Sequence, residues 1–518
     1  MNNYSKNIKV IVSNTLFLYL RMLLIMGISF YTTRVVLAKL GVTNFGVYNI
    51  IGGVVLSFSF ITNVIGSMSQ RFFSYEIGRQ DFTALRNVFN ATFIIHIGAG
   101  IIFVILGETI GMWFVSHCLN LGSTSSSIAR YVMHFLLLTT FIQIIRIPFY
   151  ACIIAYEKMN LYAFISIFEV IMKLVIAFSL SIFSVNKLIL FVGLNSIVSF
   201  LILIIYVTIC QINFKCCRFL WHTDSKLYKK LLHFSGWSLW GSVAGVAEGQ
   251  GFNILINIFN GVSYNAALGI SHQIGMGIYS FASNFQVAFN PRLVKSYAEK
   301  RHEEHIKLII QTTKISFFLL FFFAFPLFLQ LDFFIKVWLK NPPPFSSIFC
   351  RLELIFLLLD VMSAPLWMSV QATGDIKKYQ LLIGTLSISR LPFIYLTLLW
   401  GGTPVLCWGV RIVCIGILQI VRIIFMYYYF GFEIKRYLSQ AIIPILLTFL
   451  VAIPIPAFVN FYVSSWSGFL VVGSLCVLFS VLAIFSVGLT HSERNALFGM
   501  IVKRFQQFSG YSVIRSKD

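Results

Sequence analysis

Five arginines, Arg21, Arg146, Arg390, Arg411 and Arg422, stand in stretches of sequence otherwise almost free of charge. Arginine stays ionised, and its planar fork of donors matches a phosphate bidentately. In apolar surroundings such a cation needs a counter-ion, a wet cavity or an anionic ligand. Arg411 and Arg422 are spaced to share one face of a helix. Lys314 is a further cation of this kind, nearer the end of its stretch. Acidic residues are fewer. Glu169 and Lys173 follow the i,i+4 rule with the glutamate first, the favourable order for a helical ion pair, and read as structural and mutually neutralising. Glu248 and Asp360 have no partner nearby in the sequence. Each is either a carrier of a proton or sodium ion or a counter-ion for one of the arginines. His96 and His272 are isolated and read as packing residues.

Catalytic patterns are missing. Ser, His and Asp show no nucleophile-elbow spacing. No Gly-rich phosphate loop carries a lysine, so ATP is not expected to be used directly. No cofactor is expected. The 9 cysteines form no CxxC pair and no Cys/His metal spacing, so no metal is expected. Cys152, Cys210, Cys407, Cys414 and Cys476 lie in apolar stretches, where cysteine is a small apolar filler. Cys118 and Cys350 both fall near the expected outer face, and spacing leaves open whether they are bridged.

The elements that must position these groups are apolar helices. Hydrophobic residues make up 58% of the chain, charged residues 11%, and mean hydropathy is +0.87. A helix of about 20 apolar residues spans a bilayer, and roughly fourteen such stretches follow one another. They run over 11–38, 44–70, 88–115, 128–155, 161–185, 188–212, 232–259, 264–290, 308–335, 348–372, 379–399, 404–430, 441–461 and 468–489. Backbone groups in lipid must satisfy one another, so these spans are helices. The expected fold is all-α and membrane-integral, which excludes functions that need a large soluble domain. Lys6 and Lys9 lead straight into the first span without a small-residue cleavage site, so a retained helix is expected and not a signal peptide.

The net charge of +22 suggests nucleic acid until its placement is considered. Roughly 25 cations fall in connections on the side of the N-terminus and roughly 4, Lys39, Lys187, Lys336 and Lys340, on the other. That bias predicts cytoplasmic N- and C-termini. The remaining basic charge is suited to anionic membrane lipids. No basic face sits on a folded soluble domain, so nucleic acid is not expected as a partner.

The polar stretch 213–230 divides the chain into six spans and eight. Gly41-Val42-Thr43-Asn44 follows the first span and Gly261-Val262-Ser263-Tyr264 the seventh, and the helices after them end at Gln70-Arg71 and Asn290-Pro291-Arg292. This is the pattern of an internal repeat related by an axis along the membrane normal. The expected organisation is a six-helix bundle over 1–212, a basic cytoplasmic linker over 213–230, a second six-helix bundle over 231–430, two appended helices over 431–489 and a basic tail over 490–518. The two bundles would be pseudo-symmetric around a central cavity. Gly27, Gly52, Gly53 and Gly66, and then Gly236 to Gly251, allow close helix approach. Pro148, Pro326, Pro365 and Pro392 are candidate kinks.

Arg34 through Gly41, followed by Phe45-Gly46-Val47-Tyr48, resembles the first hairpin of bacterial polysaccharide flippases. These are the O-antigen and lipid-linked oligosaccharide translocases of the multidrug/oligosaccharidyl-lipid/polysaccharide exporter superfamily. Gly66 through Arg71 resembles the end of their second helix. Gln371 through Asp375, before Lys377-Lys378, resembles the turn after their tenth. The resemblance implies a non-enzymatic protein of the bacterial inner membrane that works by alternating access. It would carry an undecaprenyl-diphosphate-linked oligosaccharide from the cytoplasmic to the periplasmic leaflet, for lipopolysaccharide or another surface glycan. Relatives that flip the peptidoglycan precursor place a cavity cation on the first helix, a role that falls to Arg21 here. Arg146 and Arg390, then Arg411 and Arg422, are the other candidate diphosphate ligands. The implied partners are the lipid-linked oligosaccharide, a coupling proton or sodium ion, and glycan polymerase or glycosyltransferases. A multidrug or cation antiporter of the same superfamily is the alternative. A membrane polysaccharide polymerase is a weaker one, because the longest outer loops expected, near 116–127 and 336–347, leave little room for a catalytic domain.

Overall fold

The computed structural model describes the backbone of residues 2–58 and, with short breaks, of 65–495. The breaks are 59–64, 67, 70–71, 74–75, 78, 123, 125, 157, 184, 219–224, 374–375, 463–465 and 491–492; side chains are described from Arg21 onward, except at 159, 230, 232–239, 287–288, 291–292, 294–295, 298 and 430. Gln70, Arg71, Gly374, Asp375, the side chains of Lys6, Lys9, Pro291 and Arg292, and the tail beyond 495 thus lie outside the described residues.

Among the described residues the chain is helical, without a strand. The helices are α1 Asn2–Leu56, α2 Phe82–His117, α3 Ser126–Ala155, α4 Met159–Ser179, α5 Lys187–Asn213, α6 Ser225–Asn260 and α7 Val262–Ala298. There follow α8 His302–Leu329, α9 Leu331–Leu339, α10 over 346–373, α11 Lys377–Leu399, α12 Pro404–Phe430, α13 Ile434–Tyr462 and α14 Trp466–Gly488. They stand at the fourteen expected positions, with α1 covering the first and the described part of the second. The short α9 lies across the end of the ninth span and the expected outer loop after it.

Ten of these helices are long and apolar enough to cross a membrane. α6, α7 and α10 fall short for reasons visible in their residues. α6 carries Glu248, Gln250, Asn253 and Asn257, and α7 carries Asn265, Ser271, His272 and Gln273. α10 is broken at Val361–Met362. Pro365 explains the break, since a proline cannot donate to the carbonyl four residues before it and its ring crowds that carbonyl. The freed Val361 carbonyl accepts instead from Gln286 Nε2 at 3.1 Å. Pro392 stands in the same relation to the break at Ser389 inside α11. Pro148 and Pro326 are accommodated within continuous helices.

Two single glycines replace whole loops. Gly41 interrupts α1 with φ 77°, and Gly261 joins α6 to α7 with φ 90°. A side chain costs free energy at such positive φ, so glycine suits both corners. They are the two positions that the internal repeat pairs.

The chain divides into two compact units. The first comprises Met1–Ile274, Ile335–Leu352 and Ile376–Cys414; the second comprises Gly275–Phe334, Glu353–Asp375 and Ile415–Asp518. In the first unit α1 packs along α4, α3 along α5 and α2, and α6 along α11. Its core is aromatic and aliphatic, with Phe73, Phe89, Phe103, Ile50 and Trp408 fully buried. In the second unit α8 packs on α14, and α13 on α14. There Phe317, Phe321 and Phe449 stack together. Large apolar side chains such as Ile105, Phe164, Leu450, Phe458 and Leu470 point outward, the pattern expected of a protein solvated by hydrocarbon. The chain is a multi-pass membrane protein.

Candidate functional site

The first unit holds two clusters of buried or half-buried charge. In one, α1 brings Arg21, α3 Arg146 and α4 Glu169 and Lys173 together. Glu169 bridges two cations, accepting from Arg146 Nη1 at 2.8 Å and from Lys173 Nζ at 2.9 Å. Arg21 donates to Ser166 Oγ at 3.1 Å and lies over the Tyr162 ring, 4.4 Å from its centre. Arg146 faces the Tyr206 ring at 5.5 Å, and Tyr206 is also within electrostatic reach of Arg21. Two cations thus share one carboxylate, and Arg21 stands beside them on Ser166 and Tyr162. Among the described residues nothing accepts from the buried Nε of Arg21.

The second cluster is centred on Glu248 of α6. Its Oε1 accepts from Arg411 Nε at 2.8 Å and Arg390 Nη1 at 3.2 Å, and its Oε2 from Arg411 Nη2 at 3.4 Å. The side chains of Arg390, Glu248 and Arg411 are only 6%, 10% and 11% exposed. Arg411 also lies over the Phe252 and Trp408 rings at 5.0 and 4.9 Å. The break at Ser389 starts a new helical segment at Arg390, which is how the sequence directs that side chain toward α6. Two cations again meet one anion.

Asp360 and Arg422 belong to the second unit, where both border Tyr279. Arg422 Nη1 donates to Gln419 Oε1 at 3.1 Å, and Gln419 Nε2 donates to the Leu359 carbonyl at 3.1 Å. Among the described residues the buried Arg422 Nε has no acceptor. Arg411 and Arg422 therefore stand in different settings although one helix carries both. The buried Lys314 is held by Glu493 at 2.6 Å. His96 is buried with Nδ1 on the Thr92 carbonyl at 2.8 Å. Cys118 and Cys350 are both free thiols.

Two groupings were not legible in the sequence. One is an amide ladder in the first unit. Asn257 Nδ2 donates to Asn265 Oδ1 at 2.7 Å and to the Asn120 carbonyl at 3.0 Å, Asn120 N–H donates to Asn257 Oδ1 at 2.9 Å, and Asn265 Nδ2 reaches the Asn253 carbonyl at 2.9 Å. Gly46 of α1 lies so close that a Cβ there would be 2.3 Å from the Val262 carbonyl oxygen, and a Cβ at Gly53 would meet Asn253 at 2.6 Å. Asparagines flanking Gly261 were the available signal. The other grouping is three thiols, Cys152, Cys216 and Cys217, all buried. Cys152 and Cys216 are 64 residues apart, so no local spacing could reveal them.

No protein-family model matches the chain, and no curated protein matches it either. Solved structures do. An inward-facing multidrug resistance MATE family transporter of the MOP superfamily superposes with a TM-score of 0.61 at 13% identity, covering 77% of this chain and 93% of that one. A MOP superfamily transporter from Pyrococcus furiosus Vc1, described as having a binding pocket of reverse polarity that suggests a different function, gives 0.60 at 14% identity, covering 80% and 94%. An outward-facing MATE family transporter gives 0.58 at 14%, also covering 80% and 94%. The chain has the MATE-like transporter fold.

Proposed function

We propose that this protein is a flippase that moves an undecaprenyl-diphosphate-linked oligosaccharide across the inner membrane by alternating access. The observation that carries this is the excess of buried arginine over carboxylate. Glu169 is shared by Arg146 and Lys173 beside Arg21, and Glu248 by Arg390 and Arg411. Each cluster gathers more guanidinium and ammonium groups than carboxylates among the contacts described, in a setting where a cation is expensive. A diphosphate is an anion that guanidinium forks suit. Arg21 and Arg146 make the first contact in this scheme, Arg390 and Arg411 the second, and Arg422 a further one. Glu248 and Asp360 remain the positions through which a proton or sodium ion would couple.

The two expected six-helix bundles, 1–212 and 231–430, would be related by an axis along the membrane normal and rock against each other. With both termini cytoplasmic, the corners at Gly41 and Gly261 and the amide ladder would lie on the periplasmic side, and parting of Gly46 from Val262 would belong to outward opening. Neighbours of this fold in both inward-facing and outward-facing forms support such a cycle. The lipid tail would stay in the bilayer along the appended helices. An apolar groove of about 680 Å³ lined by Phe321, Phe325, Leu354, Leu358 and Phe449 supports that placement.

A multidrug or cation antiporter is the second reading, favoured by the MATE neighbours. The cationic clusters argue against a cationic cargo, and the neighbour described as having a pocket of reverse polarity is a precedent for a different cargo on this fold. The deciding experiment measures the leaflet sidedness of the undecaprenyl-diphosphate glycan in depleted cells. Cytoplasmic accumulation with unchanged synthesis is expected, and Arg21→Ala at normal protein level should reproduce it. Normal sidedness would refute the flippase, and drug sensitivity in its place would favour the antiporter. Glycan that reaches the periplasm but stays short would point to a polymerase.

A further inference from the structure

We propose that Cys152, Cys216 and Cys217 form a site for a thiophilic d10 cation, Zn(II) or Cu(I), that pins the turn after α5 to the end of α3. Cys152 lies in the last turn of α3, and Lys215–Cys217 is a 3-10 turn just beyond α5. The three thiols are 0%, 4% and 2% exposed.

Their sulfurs converge on one point. The Sγ–Sγ distances are 3.8 Å for Cys152–Cys216, 3.5 Å for Cys152–Cys217 and 4.0 Å for Cys216–Cys217. The circle through three points so spaced has a radius of about 2.2 Å, against the ~2.3 Å of a zinc–thiolate bond. The near-equal sides set this apart from a single thiol pair, in which two sulfurs approach and a third has no reason to be equidistant. Cys210 provides another sulfur beside Cys217, and the Tyr156 hydroxyl lies 3.9 Å from Cys216 Sγ. Among the described residues only Cys152, Cys216 and Cys217 are mutually close, so they supply three ligands and a small exogenous ligand such as water or a thiol would take the fourth position.

The chemistry fits as well. Three soft thiolates select Cu(I) or Zn(II) over the hard cations. Three thiolates around such an ion leave net negative charge. Lys215 and Arg218 flank the turn, and Arg86 Nε donates to the Arg218 carbonyl at 3.3 Å, which brings a third cation close. The site closes the gap between α3 and the start of the polar linker at 213–230. It would fix the direction in which the chain leaves α5, independently of what the protein transports.

The test uses the full chain in detergent, reduced and stripped of metal. Zn(II) and Cu(I) are titrated separately under argon against a competing chelator. One ion per chain is expected, and the arm that saturates names the metal. Cys152→Ser, Cys216→Ser and Cys217→Ser should each weaken binding by roughly 100-fold or more, since loss of even an outer partner of a metal ligand costs 10–100-fold. Cys118→Ser and Cys350→Ser should leave it unchanged. Co(II) loading of the wild type should give the visible bands of tetrahedral thiolate coordination. The proposal falls if the wild type holds no stoichiometric ion of either metal, or if the three variants bind as it does. A Cys152–Cys217 disulfide in protein isolated from normally growing cells would overturn it too. The wild-type stoichiometry needs no variant, so a variant that fails to fold does not blunt the test.

Discussion

A carboxylate shared by two guanidiniums in a site almost closed to solvent leaves little freedom for substitution. Glu248→Gln keeps the shape and removes the anion that Arg390 and Arg411 share. Breaking a buried pair in this way costs about 3–5 kcal/mol. We expect a large fall in the detergent melting temperature for Glu248→Gln, and a smaller one for Glu248→Asp, which keeps the anion. Unchanged melting of Glu248→Gln would mean that solvent or a bound anion already satisfies the arginines. The residues of this cluster were legible one by one in the sequence, because a charge in an apolar stretch is conspicuous. Their pairing was not. Arg390 and Arg411 are 142 and 163 residues from Glu248, and only tertiary packing joins them. Glu169 and Lys173 could be paired in advance because a helix places i and i+4 side by side. The second claim on Glu169, by Arg146, could not.

Among the elements, the closest approach of a glycine to a neighbouring backbone is that of α1 to the start of α7 at Gly46 and Val262. No side chain fits there without movement. Gly46→Leu should wedge the contact open and favour the opposite state of the transport cycle. Cys118, two residues from the amide ladder, then reports the change. Faster reaction with a membrane-impermeant thiol reagent is expected in the variant, together with reduced transport. Equal labelling and full activity would show that this contact does not gate anything. Helix positions were readable from apolar length alone, and so were the glycine corners, from their repeated sequence. The breaks inside α10 and α11 were only half readable. Prolines marked the places, but whether a proline breaks a helix depends on what takes over the abandoned carbonyl. At Val361 that is Gln286, which comes from α7 and left no trace near Pro365. Pro148 and Pro326 carry the same local signal and sit in unbroken helices.

For the whole molecule the governing quantity is the placement of positive charge relative to the bilayer. A C-terminal green fluorescent protein fusion should fluoresce, and alkaline phosphatase at the same place should be inactive, because both termini are expected in the cytoplasm. Active phosphatase would invert the orientation and move the amide ladder to the cytoplasmic side. Overall class was legible because membrane solvation imposes the same rule on every helix, apolar outside and internally satisfied backbone. The gathering of thiols at the end of α3 obeys no such rule and became visible only in three dimensions. The corners at Gly41 and Gly261 have a last consequence. A helix that turns into the next through one residue has no slack, so a displacement of one arm must be delivered to the other, as in a rigid bell crank. Anyone wishing to express the protein as two complementing fragments should therefore leave both corners whole and divide it after Arg218 and before Ser225, in the polar stretch of the sequence beyond the three thiols.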